Sequence, residues 1–183
     1  KRFTLITASA FMIASCAADT AAKPGDKQTE AKPAAESPVK KAISAEPLRS
    51  GLYRLTGPGG NIGVLVGSDG AFIIDDKFDR FGDEIIAVVK TLTNEPISYV
   101  INTHYHGDHT GANGKMKSAG AIIVAHENVR ARMGITFDNK LWGRPVEATA
   151  PAQWPTVTYS ENATFHINGQ TVELLHTPSA HTD

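Results

Sequence analysis

Cysteine is nearly absent from this chain: 183 residues contain one, Cys16. No internal disulfide can form, and no thiolate is available to the folded body as nucleophile or metal ligand. Charge of one sign is missing too. The 18 basic and 19 acidic residues almost cancel, so no broad positive field exists of the kind that sequence-independent nucleic-acid binding requires. Long apolar runs are also lacking. The stretch from Phe3 to Ser15 is about 13 residues, short of the roughly 20 that a membrane-spanning helix needs. No internal repeat is visible. What is present is a composition 41% hydrophobic and 20% charged, that of a globular protein with one domain plus appendages.

The N-terminal residues have a layout of their own. Lys1 and Arg2 are positive, the run to Ser15 is apolar and ends in small residues, and Cys16 follows at once. That is the arrangement of a secretory signal. Ile13-Ala14-Ser15-Cys16 also resembles the bacterial lipobox, which implies a signal over residues 1–16, lipidation of Cys16, and a membrane-anchored protein on the periplasmic side. Ala17 after the cysteine points to the outer membrane. The alternative is an ordinary cleaved signal beside an incidental cysteine. Residues 17–47 are rich in Ala, Lys, Pro and Glu with almost no large apolar residue, and such a segment cannot bury enough surface to offset its ordering entropy. A disordered tether is expected there, and a folded domain over residues 48–183.

Within that domain, short apolar runs are cut by glycine-rich turns: Leu52 to Thr56, Gly57-Pro58-Gly59-Gly60, Ile62 to Val66, Gly67-Ser68-Asp69-Gly70, Ala71 to Asp75. They predict three antiparallel strands. Asp79 suits the N-cap of a helix to about Leu92, with Ile85, Val89 and Leu92 on one face. A buried strand is expected over Ile97 to Ile101, a weak helix over Ala112 to Ala119, a strand over Ala121 to Val124, and a short helix over Glu127 to Met133. Residues 134–155 read as loop, with Trp142 and Trp154 as packing anchors. Asn168-Gly169 sets a hairpin turn between Thr164 to Ile167 and Gln170 to His176. The fold class is α/β (α+β).

The chemistry sits in His104-Tyr105-His106-Gly107-Asp108-His109, directly after the Ile97 to Ile101 strand. Imidazole and carboxylate are ligands of borderline divalent ions, and a tight loop can turn alternate side chains to one point and the rest to a neighbouring one. That spacing leaves room for two adjacent metal positions. Gly107 and Gly111 let the backbone bend closely there. Of the other histidines, His126 reads as structural or surface at a helix start. His166 lies on a strand where alternation suits packing as well as function. His176 reads as structural, with lining of the site as the alternative.

His104 to His109 matches the His-x-His-x-Asp-His signature and resembles the metallo-β-lactamase superfamily. The likeness extends to Asp75 at the end of an early strand and to Ala180-His181-Thr182-Asp183 downstream. It implies an αββα sandwich of which this chain holds the N-terminal part, with further strands and ligands expected beyond Asp183. It also implies Zn2+ as cofactor, two ions in the full-length protein. His104, His106 and His181 would hold the first, Asp108 and His109 the second, and Asp75 would brace the loop by hydrogen bonds. Asp108 would also be catalytic, orienting the water that attacks as a metal-bound hydroxide. The implied function is zinc-dependent hydrolysis of a small ester, lactone, lactam or thioester. The Asp108-His109 pair without a cysteine excludes the lactamase branch that uses a cysteine ligand, and His106 argues against di-iron oxygen reduction. Two alternatives remain: a mononuclear iron persulfide dioxygenase of the same fold, and a non-catalytic zinc-binding lipoprotein.

Overall fold

The computed structural model describes residues 41–140, 143–178 and 180–182. The signal segment, Cys16, nearly all of the tether and Trp142 lie outside the described residues. The chain runs through β1 (Ser44–Arg49), β2 (Leu52–Thr56), β3 (Ile62–Gly67) and β4 (Gly70–Ile74). A 3-10 turn at Asp79–Phe81 leads into α1 (Gly82–Leu92), followed by β5 (Ile97–Asn102), α2 (Gly107–Thr110) and α3 (Asn113–Ser118). Then come β6 (Ile122–His126), α4 (Glu127–Met133), β7 (Phe137–Asn139), β8 (Arg144–Val146), β9 (Val157–Tyr159), β10 (Asn162–Ile167) and β11 (Gln170–Leu175).

Seven strands form one mixed sheet in the order β1-β2-β3-β4-β5-β6-β9. The pairs from β1 to β4 are antiparallel, joined by short glycine-containing turns. From β4 onward the pairs are parallel, which requires crossovers, and α1 and α3 supply two of them. The four parallel strands all point their C-terminal ends to one edge. That edge is where β4 releases Asp75 and β5 releases the histidine loop, with the Asp75 N–H still bonded to the Ile101 carbonyl at 2.7 Å.

Period-two alternation divides the side chains between two faces. Val64, Ile73, Val100 and Ile123 point into a core with Ile85, Val89 and Met116, which belong to α1 and α3. Their neighbours Phe72, Ile101 and Val124 point the other way and meet Ile167, Phe165, Val172 and Leu174 of the β10–β11 hairpin. Phe165 stands edge-on to both Phe72 and Tyr99, at 5.2 Å between ring centroids in each case. Each such buried side chain stabilises by roughly 1.5–3 kcal/mol relative to exposure. Both faces of the sheet are thus covered, by helices on one side and a hairpin on the other.

The ordered domain starts earlier than the expected boundary at Leu48. Ile43 is buried at 2% exposure and its N–H donates to Glu84 at 2.9 Å. Strand β1 then pairs residue by residue with β2 up to a bulge between Pro47 and Arg49. All six of its side chains are exposed, so this edge strand is held by its backbone ladder and carries no apolar alternation to read. Helix α1 begins later than expected: Asp79 opens the 3-10 turn, and Phe81 precedes Gly82 with no side-chain cap. The stretch expected as loop contains the small β7–β8 ribbon, and β9 follows it as the outermost parallel strand beside β6. Trp154 packs against Ala125, Val129 and Met133 and donates from Nε1 to the Thr149 carbonyl at 3.1 Å.

Candidate metal centre

Strand β5 ends in Asn102, which is fully buried and ties down both ends of the loop that follows. Its Nδ2 donates to the His109 carbonyl and to Asn113 Oδ1, each at 3.0 Å. Asn113 returns a bond to Asn102 Oδ1 at 2.9 Å and donates to the Gln153 carbonyl at 2.9 Å. Between these anchors the chain bends through Thr103, His104 and Tyr105, is extended at His106 and then winds into the single turn of α2. The His109 and Thr110 N–H groups both donate to the His106 carbonyl, at 2.9 and 3.1 Å. This bent segment followed by one helical turn presents His104 and His106 to one point, and Asp108 and His109 to its neighbour.

Ligand atoms of His104, His106 and His181 lie within 4.8 Å of one another. His104 Nε2 and His106 Nδ1 are 3.2 Å apart, close to the roughly 3.4 Å separation that tetrahedral ligands at about 2.0–2.1 Å from a zinc ion would have. The His181 ring stands 5.0 Å from that of His104 and 5.1 Å from that of His106. On the adjoining side, His109 Nε2 is 3.4 Å from Asp108 Oδ2, and the His104 and His109 rings are only 4.0 Å apart. The two groups share a wall.

Asp75 fixes which nitrogens point inward. Its carboxylate accepts from His109 Nδ1 at 2.7 Å, from the Thr103 N–H at 2.8 Å and from the Thr103 hydroxyl at 2.9 Å. Thr103 Oγ1 also lies 3.0 Å from His104 Nδ1. A hydroxyl has one proton, and the carboxylate takes it, so His104 Nδ1 must be the donor to Thr103. Both imidazoles are held as Nδ1–H tautomers with the Nε2 lone pair facing the centre, as metal-ligating histidines require. Asp75 is itself 5% exposed and adopts φ 63. Thr103 carried no sequence signal of its own, only its place between a buried strand and the histidines.

The electrostatics agree with that assignment. Burial, reinforced by the neighbouring His109 and His106, lowers His104 to a pKa of about 4, so it stays neutral and able to ligate. His109 is raised, chiefly by its hydrogen bond to Asp75, with Asp108 adding to the effect. A metal arriving beside it would displace that proton.

Of the remaining histidines, His126 caps α4: its Nδ1 accepts from the Asn128 N–H at 3.2 Å and its Nε2 donates to the Ser160 carbonyl at 2.8 Å. His176 stacks on it at 4.0 Å and 14°, which steers the chain from β11 toward His181. His166 is exposed on the outer face of the hairpin, with Nδ1 at 3.3 Å from Thr171 Oγ1. A cleft of about 460 Å³ between Ser98, Ile122 and His166 is at the far end of β5 from the histidine loop. A smaller one of about 150 Å³ borders the centre between Thr103, His126, Tyr159 and His176.

The family model of the metallo-beta-lactamase superfamily matches residues 55–182, most of the described domain. The chain belongs to the metallo-β-lactamase superfamily. Solved structures agree on the fold. A metallo-β-lactamase from Pontibacter korlensis superposes with a TM-score of 0.55 at 21% identity, over 72% of this chain and 59% of that one. A subclass B3 metallo-β-lactamase of Bradyrhizobium japonicum gives 0.55 at 21%, over 72% and 52%. A metallo-β-lactamase from Pseudomonas aeruginosa in a mono-zinc form gives 0.52 at 16%, over 68% and 54%. The chain therefore spans between half and three fifths of the length of these relatives.

In this metallo-β-lactamase-family chain the side chains present fit a divalent ion. The nitrogens of His104, His106 and His181 converge, Asp75 orients His104 and the adjoining His109, and with Asp108 the donors are nitrogen and oxygen, the set borderline ions take. Among the described residues this is the group of ligand atoms that meets on one point.

Proposed function

We propose that the protein is a zinc-dependent hydrolase, with a small ester, lactone, lactam or thioester as substrate. The observation that carries this is the convergence of His104, His106 and His181 beside the Asp108–His109 pair. His104, His106 and His181 would hold one ion, and Asp108 with His109 would contribute to a second. A bound divalent ion supplies a Lewis acid for the scissile carbonyl and lowers the proton affinity of water toward neutrality.

The chain's own residues do the rest. Asp75 and Thr103 keep the His104 and His109 lone pairs facing inward, so that no reorientation is needed when substrate arrives. Asp108 is half-exposed beside them and accepts from the Gly60 N–H at 3.0 Å, which fixes one carboxylate oxygen and leaves the other to accept a proton from an attacking water. It is the residue proposed as catalytic. The membrane placement rests on Cys16 and its lipobox, with the protein on the periplasmic side of an outer membrane. Among the described residues no helix is long and apolar enough to cross a membrane.

Elemental analysis of the purified protein, together with turnover on a panel of esters, lactones, lactams and thioesters, tests the reading. Bound zinc with hydrolysis that His106→Ala abolishes is the expected result. Iron in place of zinc, with persulfide oxidation and no hydrolysis, would select the dioxygenase. Stoichiometric zinc without turnover on any substrate would select the non-catalytic zinc-binding protein.

A further inference from the structure

A lysine with no solvent exposure lies beneath the centre. Lys77 is 0% exposed, which is costly for an ammonium unless its protons are hydrogen-bonded. Its Nζ donates to the Gly60 carbonyl and, at 3.4 Å, to the Gly57 carbonyl. Both acceptors belong to the Gly57-Pro58-Gly59-Gly60 turn, which lies directly over the Asp108–His109 side of the site. The Gly60 N–H donates to Asp108 Oδ2 at 3.0 Å. A Cβ on Gly60 would fall 2.5 Å from His109 Cε1, and one on Gly59 would fall 2.9 Å from Asp108 Cβ. Only a bare backbone fits against those two side chains, and Lys77 is the group that holds it there. At its other end the lysine backbone is fixed as well: φ is 61, and its carbonyl accepts the Gly111 N–H at 2.8 Å.

We infer that Lys77 is a positioning residue for the Asp108–His109 half of the centre, acting through the Gly57 and Gly60 carbonyls. It holds the glycine turn at the height where Gly60 can both bond the Asp108 carboxylate and lie flat against the His109 ring. Burial lowers the Lys77 pKa from its ordinary value, and the Asp108 charge across the turn opposes that shift.

The test uses the full chain. Lys77→Met keeps the length and removes the donors, Lys77→Arg keeps charge and donors, and Gly60→Ala keeps Lys77 but pushes a methyl at His109. The first readout needs no metal: the His109 imidazole ring resonances of the folded apo-protein. A residue that only stabilises the fold would leave those resonances in place and lower the melting temperature alone. Lys77→Met and Gly60→Ala are expected to shift them, with Lys77→Arg nearer to wild type. The second readout, resting on the metal-site reading, is Co2+ titration. Lys77→Met is expected to weaken cobalt binding about tenfold, the lower end of what a residue supporting a ligand is worth. His109 resonances unchanged in a folded Lys77→Met protein would overturn the inference. If that variant does not fold, unchanged resonances in Gly60→Ala overturn it instead. Absence of cobalt binding by the wild-type chain would count against the metal reading and leave the resonances to decide the role of Lys77.

Discussion

Asp75 and His109 meet at 2.7 Å although they come from different strand ends. The same carboxylate reaches His104 through the Thr103 hydroxyl. One buried side chain therefore sets the tautomer of an imidazole in each half of the centre, and this makes the loop a preformed site and not a flexible cluster of histidines.

Asp75→Ala should accordingly weaken divalent-metal binding about 10–100-fold, the usual range for residues that orient metal ligands. Thr103→Val, which removes the hydroxyl and keeps the shape, should weaken binding less, because the His109 contact survives. Zinc titrations of both variants by calorimetry would check the order; equal affinities for wild type and Asp75→Ala would be incompatible with it.

Saturating zinc should raise the melting temperature of the wild-type chain and chelation should reverse the gain. At a hundredfold excess over the dissociation constant the stabilisation is about 2.7 kcal/mol. His104→Ala should lose most of that shift, as should His181→Ala, whereas His166→Ala should keep it, since His166 is outside the centre. Differential scanning fluorimetry with and without chelator reads all three.

Asn168 joins the β10–β11 turn to the β3–β4 turn. Its Oδ1 accepts the Asp69 N–H at 2.9 Å, its Nδ2 donates to the Gly70 carbonyl at 2.8 Å, and its own N–H donates to Asp69 Oδ2. Its φ is 53. Asn168→Gly keeps the backbone conformation and loses two side-chain bonds, at a cost of about 1–3 kcal/mol. Asn168→Ala should cost more, because alanine resists that φ. Urea unfolding of the two variants separates the bonds from the strain.

Asp76 is fully buried, with Oδ1 accepting the Ala112 N–H at 3.0 Å and Oδ2 without a partner among the described residues. Burial raises its pKa well above the usual carboxylate range, with the charges of Asp75 and Asp79 adding to it. The folded state thus prefers the protonated form, while the unfolded chain ionises near 3.9. The stability this group permits is fully present below the unfolded pKa and is lost as pH rises through the folded one. Asp76→Asn should therefore be more stable than wild type at pH 8, by on the order of 1–3 kcal/mol, with the gain fading toward pH 4. Denaturant titrations across that interval would show it; a gain that grows on acidification would contradict the burial argument.

The parts of the site legible in the sequence were those whose chemistry is local. Three imidazoles and a carboxylate in six residues after an apolar strand stand out whatever the rest of the chain does, the strands β2 to β4 announced themselves as apolar runs between glycine turns, and β5 as a buried apolar run after the helix. Other features were invisible because their reasons are tertiary. Strand β1 buries no side chain, so its pattern looks like tether. The Gly57–Gly60 turn read as a hairpin connection, whereas its bare backbone is required by His109 and Asp108, which are remote in sequence. Lys77 followed a buried strand inside Asp75-Asp76-Lys77, a run of charges that strand patterning alone does not explain, and only the fold shows what its ammonium meets.

The clasp between Asp69 and Asn168 closes a loop of chain 99 positions long. Closure over that span costs more entropy than pairing strands nearer in sequence, although the cost grows only slowly with loop length. His104 and His106 lie inside the loop that the clasp closes, and His181 lies beyond it. On the metal reading, a chain with this hairpin undocked would offer an ion the His104 and His106 nitrogens without a fixed His181, so the clasp would tie completeness of the site to closure of the chain.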